Sequence, residues 1–210
     1  MDLIKESSDE LNPAADISPH GTAPPKGRRT FGDFVALAIA TCGVGYFPIA
    51  PGTLGALVGV GLYVTVWSWL YGLLKANAIR GGLNLLYLFT PLMAAMLLLT
   101  VVVTIVGVWA ATRAEKALQR KDPSIVVIDE VAGQMIALLS GPFWFPTWWS
   151  LLSAFILFRI FDIWKPYPIR RLEALESGLG IMADDVLAGI YALVVNSILI
   201  STYLLVTAAR

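Results

Sequence analysis

The sequence predicts an all-α, polytopic helical membrane protein with about five spanning helices and a short N-terminal helix that is re-entrant or interfacial. Three observations carry that prediction. Hydrophobic residues make up 57% of the 210 and charged residues only 14%, where a soluble chain carries about 25% charged. The mean hydropathy is +0.73. The charges are also clustered: ten of the thirty lie in residues 1–33, and uncharged stretches of 41, 32, 28 and 24 residues follow. A spanning helix needs about 20 mostly apolar residues.

Residues 1–30 are polar, hold four prolines and have no apolar run, which predicts a disordered cytosolic tail. The remainder, 31–210, reads as one membrane-embedded domain. Phe31 to Phe47 is apolar but short, and Pro48-Ile49-Ala50-Pro51-Gly52-Thr53 interrupts any helix. Leu54 to Leu74 is the first full span and closes on Trp67, Trp69 and Tyr71, an aromatic belt. Leu83 to Thr112 is a second span, longer than a crossing needs. Ile125 to Leu139 is a short third candidate, Ser150 to Trp164 a fourth, and Ile181 to Val206 the last. The uncharged, aromatic stretch 141–149 reads as a loop.

Basic residues orient these spans. Arg113, Lys116, Arg120 and Lys121 lie in one loop and Lys165, Arg170 and Arg171 in another, while the opposing loops hold only Lys75 and Arg80. The positive-inside rule places the first two loops in the cytoplasm. The segment 31–47 then cannot cross an odd number of times, because the 54–74 span starts inside.

On that topology the unusual residues converge at the inner membrane level. Asp129 and Glu130 start one span, Arg159, Asp162 and Lys165 end another, and Asp184 and Asp185 start the last. Ionisable groups inside spans are costly and usually face a site. Arg159, Asp162 and Lys165 are three apart and share a helix face. Pro166 ends that helix and leaves Lys165 at its mouth. Oxygen ligands without His or Cys suit a hard cation, Mg²⁺ above all. Arg159, Lys165 and Arg170 suit a phosphate, and backbone N–H groups near Gly52 and Thr53 offer an anion cradle at a helix start. Each feature also has a plainer reading. The paired acids could be helix N-terminal charges, Arg159–Asp162 a structural ion pair, and Arg171 a snorkelling anchor.

Composition excludes other chemistries. Fifteen basic and fifteen acidic residues balance to zero, so no basic surface for nucleic acid is indicated. One cysteine (Cys42) and one histidine (His20) rule out a disulfide within the chain and most His- or Cys-based catalysis.

Four blocks stand in order along the chain: Gly43-x-Gly45-x-x-Pro48-Ile49-Ala50-Pro51-Gly52-Thr53-x-Gly55; Asp129-Glu130-x-x-Gly133, preceded by Asp122; Phe155-x-x-Phe158-Arg159-x-x-Asp162-x-x-Lys165-Pro166-x-Pro168-Ile169; and Gly180-Ile181-Met182-x-Asp184-Asp185-x-x-Ala188-Gly189. Together they resemble the phosphatidylglycerophosphatase A family. Small departures are Ser177, where a glycine is frequent, and Ala56, where a serine is common. The resemblance implies Mg²⁺-dependent hydrolysis of the terminal phosphomonoester of phosphatidylglycerophosphate, in a bacterial inner membrane with the site at the cytoplasmic face. The substrate is a membrane phospholipid; no protein partner is implied. Asp129, Glu130, Asp162, Asp184 and Asp185 are then the metal and catalytic set. Which of them ligates and which acts as base stays open, as does a covalent aspartyl-phosphate route. The sequence lacks the Cys-x5-Arg, Asp-x-Asp and Asp-Gly-x-x-Ala-Arg signatures of other phosphate-handling enzymes. The competing class is a cation-coupled transporter using the same carboxylates; such sites usually lie near the midplane between repeated halves, and no repeat is visible here.

Overall fold

The computed structural model describes residues 29–82, 84–140, 147–172, 175 and 177–209. The expected tail, up to residue 28, lies outside them, as do most of the expected 141–149 loop and Glu173 and Glu176. The described residues form seven α-helices and no strand: α1 (Phe31–Thr41), α2 (Pro51–Arg80), α3 (Phe89–Leu118), α4 (Ile128–Leu138), α5 (Trp148–Trp164), α6 (Ile169–Leu172) and α7 (Ser177–Ala208).

Local chemistry sets the helix ends. At the start of α1, the Thr30 backbone N–H and hydroxyl both donate to the Asp33 carboxylate at 2.8 Å. The same two donors hold the Asp33 pKa below its ordinary value, and the Arg113 guanidinium adds to the effect. The helix stops where Cys42 and Gly43 turn left-handed (φ 46° and 72°). A 3₁₀ turn over Val44–Tyr46 follows. Pro51 then opens α2 from the first helical position, where its missing N–H costs nothing.

Among the described residues three helices are long and apolar enough to cross a membrane: α2, α3 and α7, with 30, 30 and 32 residues. The sequence pattern suggests about five. The other two segments in that count are the shorter α4 and α5, with 11 and 17 residues. At 1.5 Å per residue these reach only about 16 and 25 Å, against a hydrocarbon core of about 30 Å. The short α4 sits in the centre of the bundle, packed against α2, α3, α5 and α7. Eight of its eleven residues are buried, so its apolarity reflects protein packing rather than lipid contact. Helix also replaces expected loop at two ends: α2 continues through Lys75 to Arg80, and α3 carries Arg113 and Lys116. The α1 helix is too short to span and packs on α3, with Asp33 paired to Arg113 at 3.4 Å.

Outward faces are apolar as a lipid-facing surface requires. Leu98 and Ile105 of α3 are each 64% exposed, and Leu205 of α7 is 72% exposed. Inside, Trp67, Tyr63, Phe158, Leu92 and Met96 fill one half of the bundle, while Met135, Met182, Ile128 and Leu37 fill the other. Away from the charged end, Asn196 of α7 is fully buried. Its amide donates to Ser140 Oγ at 2.6 Å, and Ser153 Oγ donates back to its carbonyl at 2.6 Å. That network ties α7 to the end of α4 and the start of α5, where polar groups hold helices together in an apolar medium.

Helices α4 and α7 meet backbone to backbone. A Cβ on Gly133 would lie 2.6 Å from the Asp185 carbonyl oxygen and 2.5 Å from the Phe158 ring, and one on Gly189 would collide with the Gly133 carbonyl. Gly133→Leu should therefore push the helices apart. Thermal unfolding in detergent should show a loss at the upper end of the roughly 1–3 kcal/mol typical of overpacking; an unchanged transition would show the contact to be slack.

Candidate active site

One end of the bundle encloses a cavity of about 750 Å³. Five helices reach it from alternating directions. The α2 start supplies Ala50, Pro51 and Gly52, and the α3 end and its following loop supply Glu115, Lys121, Asp122, Ser124 and Val126. The first turn of α4 supplies Asp129 and Glu130, α5 supplies Arg159, Asp162 and Lys165, and α7 supplies Asp184 and Asp185. Helix starts and helix ends thus share one level, as the charge pattern requires.

Within the cavity the five expected acids divide into two groups. Asp162 accepts from Arg159 Nη1 at 2.6 Å, one turn along α5. Asp184 accepts from Lys165 Nζ at 2.6 Å, which links the end of α5 to α7. The other three, Asp129, Glu130 and Asp185, each offer a carboxylate oxygen, and these oxygens lie within 4.8 Å of one another. Asp129 Oδ1, Glu130 Oε2 and Asp185 Oδ2 are buried without a hydrogen-bond partner, as is Asp184 Oδ1.

Such a trio is electrostatically unfavourable alone. Two like charges about 4 Å apart repel by about 4 kcal/mol even at an effective dielectric of 20. Orphaned buried oxygens from three carboxylates fit a divalent cation, which removes the repulsion and satisfies the free lone pairs. The cluster could therefore hold a metal.

Several expected residues take definite places. Gly52 lines the cavity, and a Cβ there would collide with Glu130 Oε1 and lie 3.3 Å from Arg159 Nη1. Thr53 and Arg170 do not line it. Arg170 instead lies with Arg171, Tyr167 and Trp164 around a second, shallower hollow, and its guanidinium donates to the Trp164 carbonyl at 3.4 Å. Arg171 stacks over Tyr167 at 4.9 Å. Lys165 closes α5 in a left-handed conformation (φ 46°), directly before Pro166.

The macrodipole reading also divides. Asp129 and Glu130 lie in the first turn of α4, where an N-terminal dipole favours them. Asp184 and Asp185 do not, because α7 begins at Ser177 and places them about 10 Å inside the helix. The cavity also has walls that the sequence pattern does not single out. Glu115 and Ser124 belong to no motif, and Lys121 reads only as an orienting charge. The signal for them is proximity to Asp122, which precedes the Asp129-Glu130 block.

A helical protein with long apolar spans, an acid-walled cavity at one end, carboxylate oxygens that could hold a metal and paired Arg and Lys groups has the parts a membrane phosphate-handling protein needs. Within that class the chain belongs to the phosphatidylglycerophosphatase A family, whose profile matches residues 37–200. It is similar to a Bacteroides thetaiotaomicron protein provisionally named a phosphatidylinositol-3-phosphatase, 40% identical over 79% of this chain and 93% of the relative. It is also similar to phosphatidylglycerophosphatase A of Haemophilus influenzae (37% identical; 73% of this chain, 80% of the relative) and of Escherichia coli (31%; 70% and 73%). No solved structure matches.

The Lys165–Asp184 pair makes a stability prediction independent of chemistry. Lys165→Met strands a buried carboxylate oxygen and should cost about 1–3 kcal/mol. Adding Asp184→Leu should recover most of that loss. Thermal unfolding of the single and double variants in detergent checks both; equal transitions for all three proteins would mean the pair is inert.

Proposed function

We propose that this chain hydrolyses the terminal phosphomonoester of phosphatidylglycerophosphate, giving phosphatidylglycerol and phosphate in phospholipid biosynthesis. The observation that carries the reading is the Asp129–Glu130–Asp185 cluster, with one carboxylate oxygen of each residue lacking a hydrogen-bond partner, beside Arg159 and Lys165 in one cavity, in a chain of this family. Family membership makes it a phosphatase acting on a lipid. The finer statements are our own: Mg²⁺ as the metal, the inner membrane as its place, and a cytoplasmic mouth.

Asp129, Glu130 and Asp185 would hold the metal, with Asp162 and Asp184 close by. When bound, Mg²⁺ would polarise the phosphoryl oxygens and lower the pKa of a coordinated water. The chain's own groups do the rest. Arg159 and Lys165 face the phosphoryl oxygens and stabilise charge that grows on them in the transition state. Asp162 and Asp184 hold those two cations in place through the 2.6 Å bonds. A carboxylate of the cluster accepts the proton of the attacking water and passes it to the glycerol oxygen as that oxygen's bond to phosphorus breaks. The Pro51–Gly52 backbone closes one wall so tightly against Glu130 that no side chain fits between them. The acyl chains remain in the bilayer, against the apolar outer faces. Acids gathered at one end of the bundle do not favour the transporter reading, whose sites lie near the midplane.

The first set of outcomes concerns the metal and the basic groups. EDTA should abolish phosphate release and Mg²⁺ restore it, and Asp129→Asn, Glu130→Gln and Asp185→Asn should each fold but lose most turnover. Lys165→Ala should lose about 10²–10³ in turnover, as when an oxyanion donor is removed, while Arg171→Ala should lose little. Full activity of metal-free enzyme, or near-normal rates in all three acid variants, would defeat the site model.

The second outcome concerns the substrate. In mixed micelles phosphatidylglycerophosphate should be hydrolysed at least about tenfold faster than phosphatidic acid, a preference needing only about 1.4 kcal/mol of differential transition-state binding. The name of the 40% identical relative makes phosphatidylinositol 3-phosphate the third lipid to compare. A faster rate on it would move the assignment to that headgroup.

A further inference from the structure

Gln134 of α4 is fully buried, and neither its amide nitrogen nor its amide oxygen has a hydrogen-bond partner. An amide buried without partners costs about 1–3 kcal/mol on the scale of protein mutations. A methionine would fill much the same space without that cost. Buried polar groups normally find partners, so this amide requires one.

The other buried orphan atoms among the described residues belong to Asp129, Glu130, Thr147, Asp184 and Asp185. Only Glu130 lies four residues before Gln134, so the two share one face of α4. That face is turned to α2. Gly52 lies against the Glu130 carboxylate, and a Cβ on Gly59 would meet Gln134 Cβ at 3.1 Å. A donor lacking an acceptor and an acceptor lacking a donor are thus stacked one turn apart in the same seam.

We propose that Gln134 is a positioning residue for the metal cluster: its amide N–H donates through one bridging water to Glu130 Oε2 and fixes the carboxylate so that its remaining lone pairs face Asp129 and Asp185. The inference rests on the metal reading above and extends it to a residue with no place in the cavity lining. It follows the general rule that groups bonded to metal ligands orient them, and that their loss costs about 10- to 100-fold in metal affinity.

The test measures Mn²⁺ binding to the full chain in detergent by electron paramagnetic resonance, without substrate. Gln134→Met should weaken binding about 10- to 100-fold with thermal unfolding unchanged or raised. Gln134→Asn keeps the amide but is too short to reach, and should weaken binding in the same way. In a Glu130→Gln background, Gln134→Met should add nothing further, because the group it acts through is already altered. Binding within about twofold of wild type in Gln134→Met and Gln134→Asn, or losses that add to those of Glu130→Gln, would overturn the proposal. Failure of the wild-type chain to bind Mn²⁺ would instead overturn the metal reading beneath it.

Discussion

The distance between α4 and α7 is set by backbone, not by side chains, and the charged end of the molecule depends on it. Gly133 meets the Asp185 carbonyl, and Gly189 meets the Gly133 carbonyl. With no Cβ between them, the two helices approach as small residues allow in membrane bundles. Asp129 and Glu130 on one and Asp185 on the other then fall within 4.8 Å. An ordinary side chain at either glycine would separate these acids and leave them as isolated charges.

That proximity creates an electrostatic problem which the rest of the site addresses in two ways. Asp162 and Asp184 are neutralised by Arg159 and Lys165, and these bonds also fasten α5 to itself and to α7. Asp129, Glu130 and Asp185 have no cationic side chain among the described ion pairs and are suited to a metal instead. Burial makes both solutions more effective, because charges interact more strongly where water is excluded. The opposite end of the bundle carries a neutral counterpart, the Asn196, Ser140 and Ser153 network, which holds α4, α5 and α7 together without adding charge.

Much of the site is legible in the residues themselves. Charges are so rare after residue 33 that each one inside an apolar run stands out, and the i, i+3 spacing of Arg159, Asp162 and Lys165 alone places them on one helix face. Gln134 is not legible in this way, because an amide in an apolar helix carries no charge and matches no ligand pattern. Its meaning appears only when both of its polar atoms prove to be buried and unpartnered. Arg170 reads from the sequence as part of the phosphate set. The turn through Pro166–Pro168 and the short α6 place it around a different hollow.

Composition and charge spacing alone establish that the chain is helical and membrane-embedded, and that its acids and bases gather at one level. Hydropathy and charge act residue by residue along the chain, so they are readable without coordinates. Packing between the helices sets which apolar faces point outward and which are wrapped by protein. An 11-residue apolar segment reads alike in both settings, and only the packing of α2, α3, α5 and α7 around α4 shows it to be the centre of the bundle. It also decided the division of five similar carboxylates into two that are paired and three that stand together. That division depends on distances of a few ångströms between helices far apart in sequence, which no local pattern encodes.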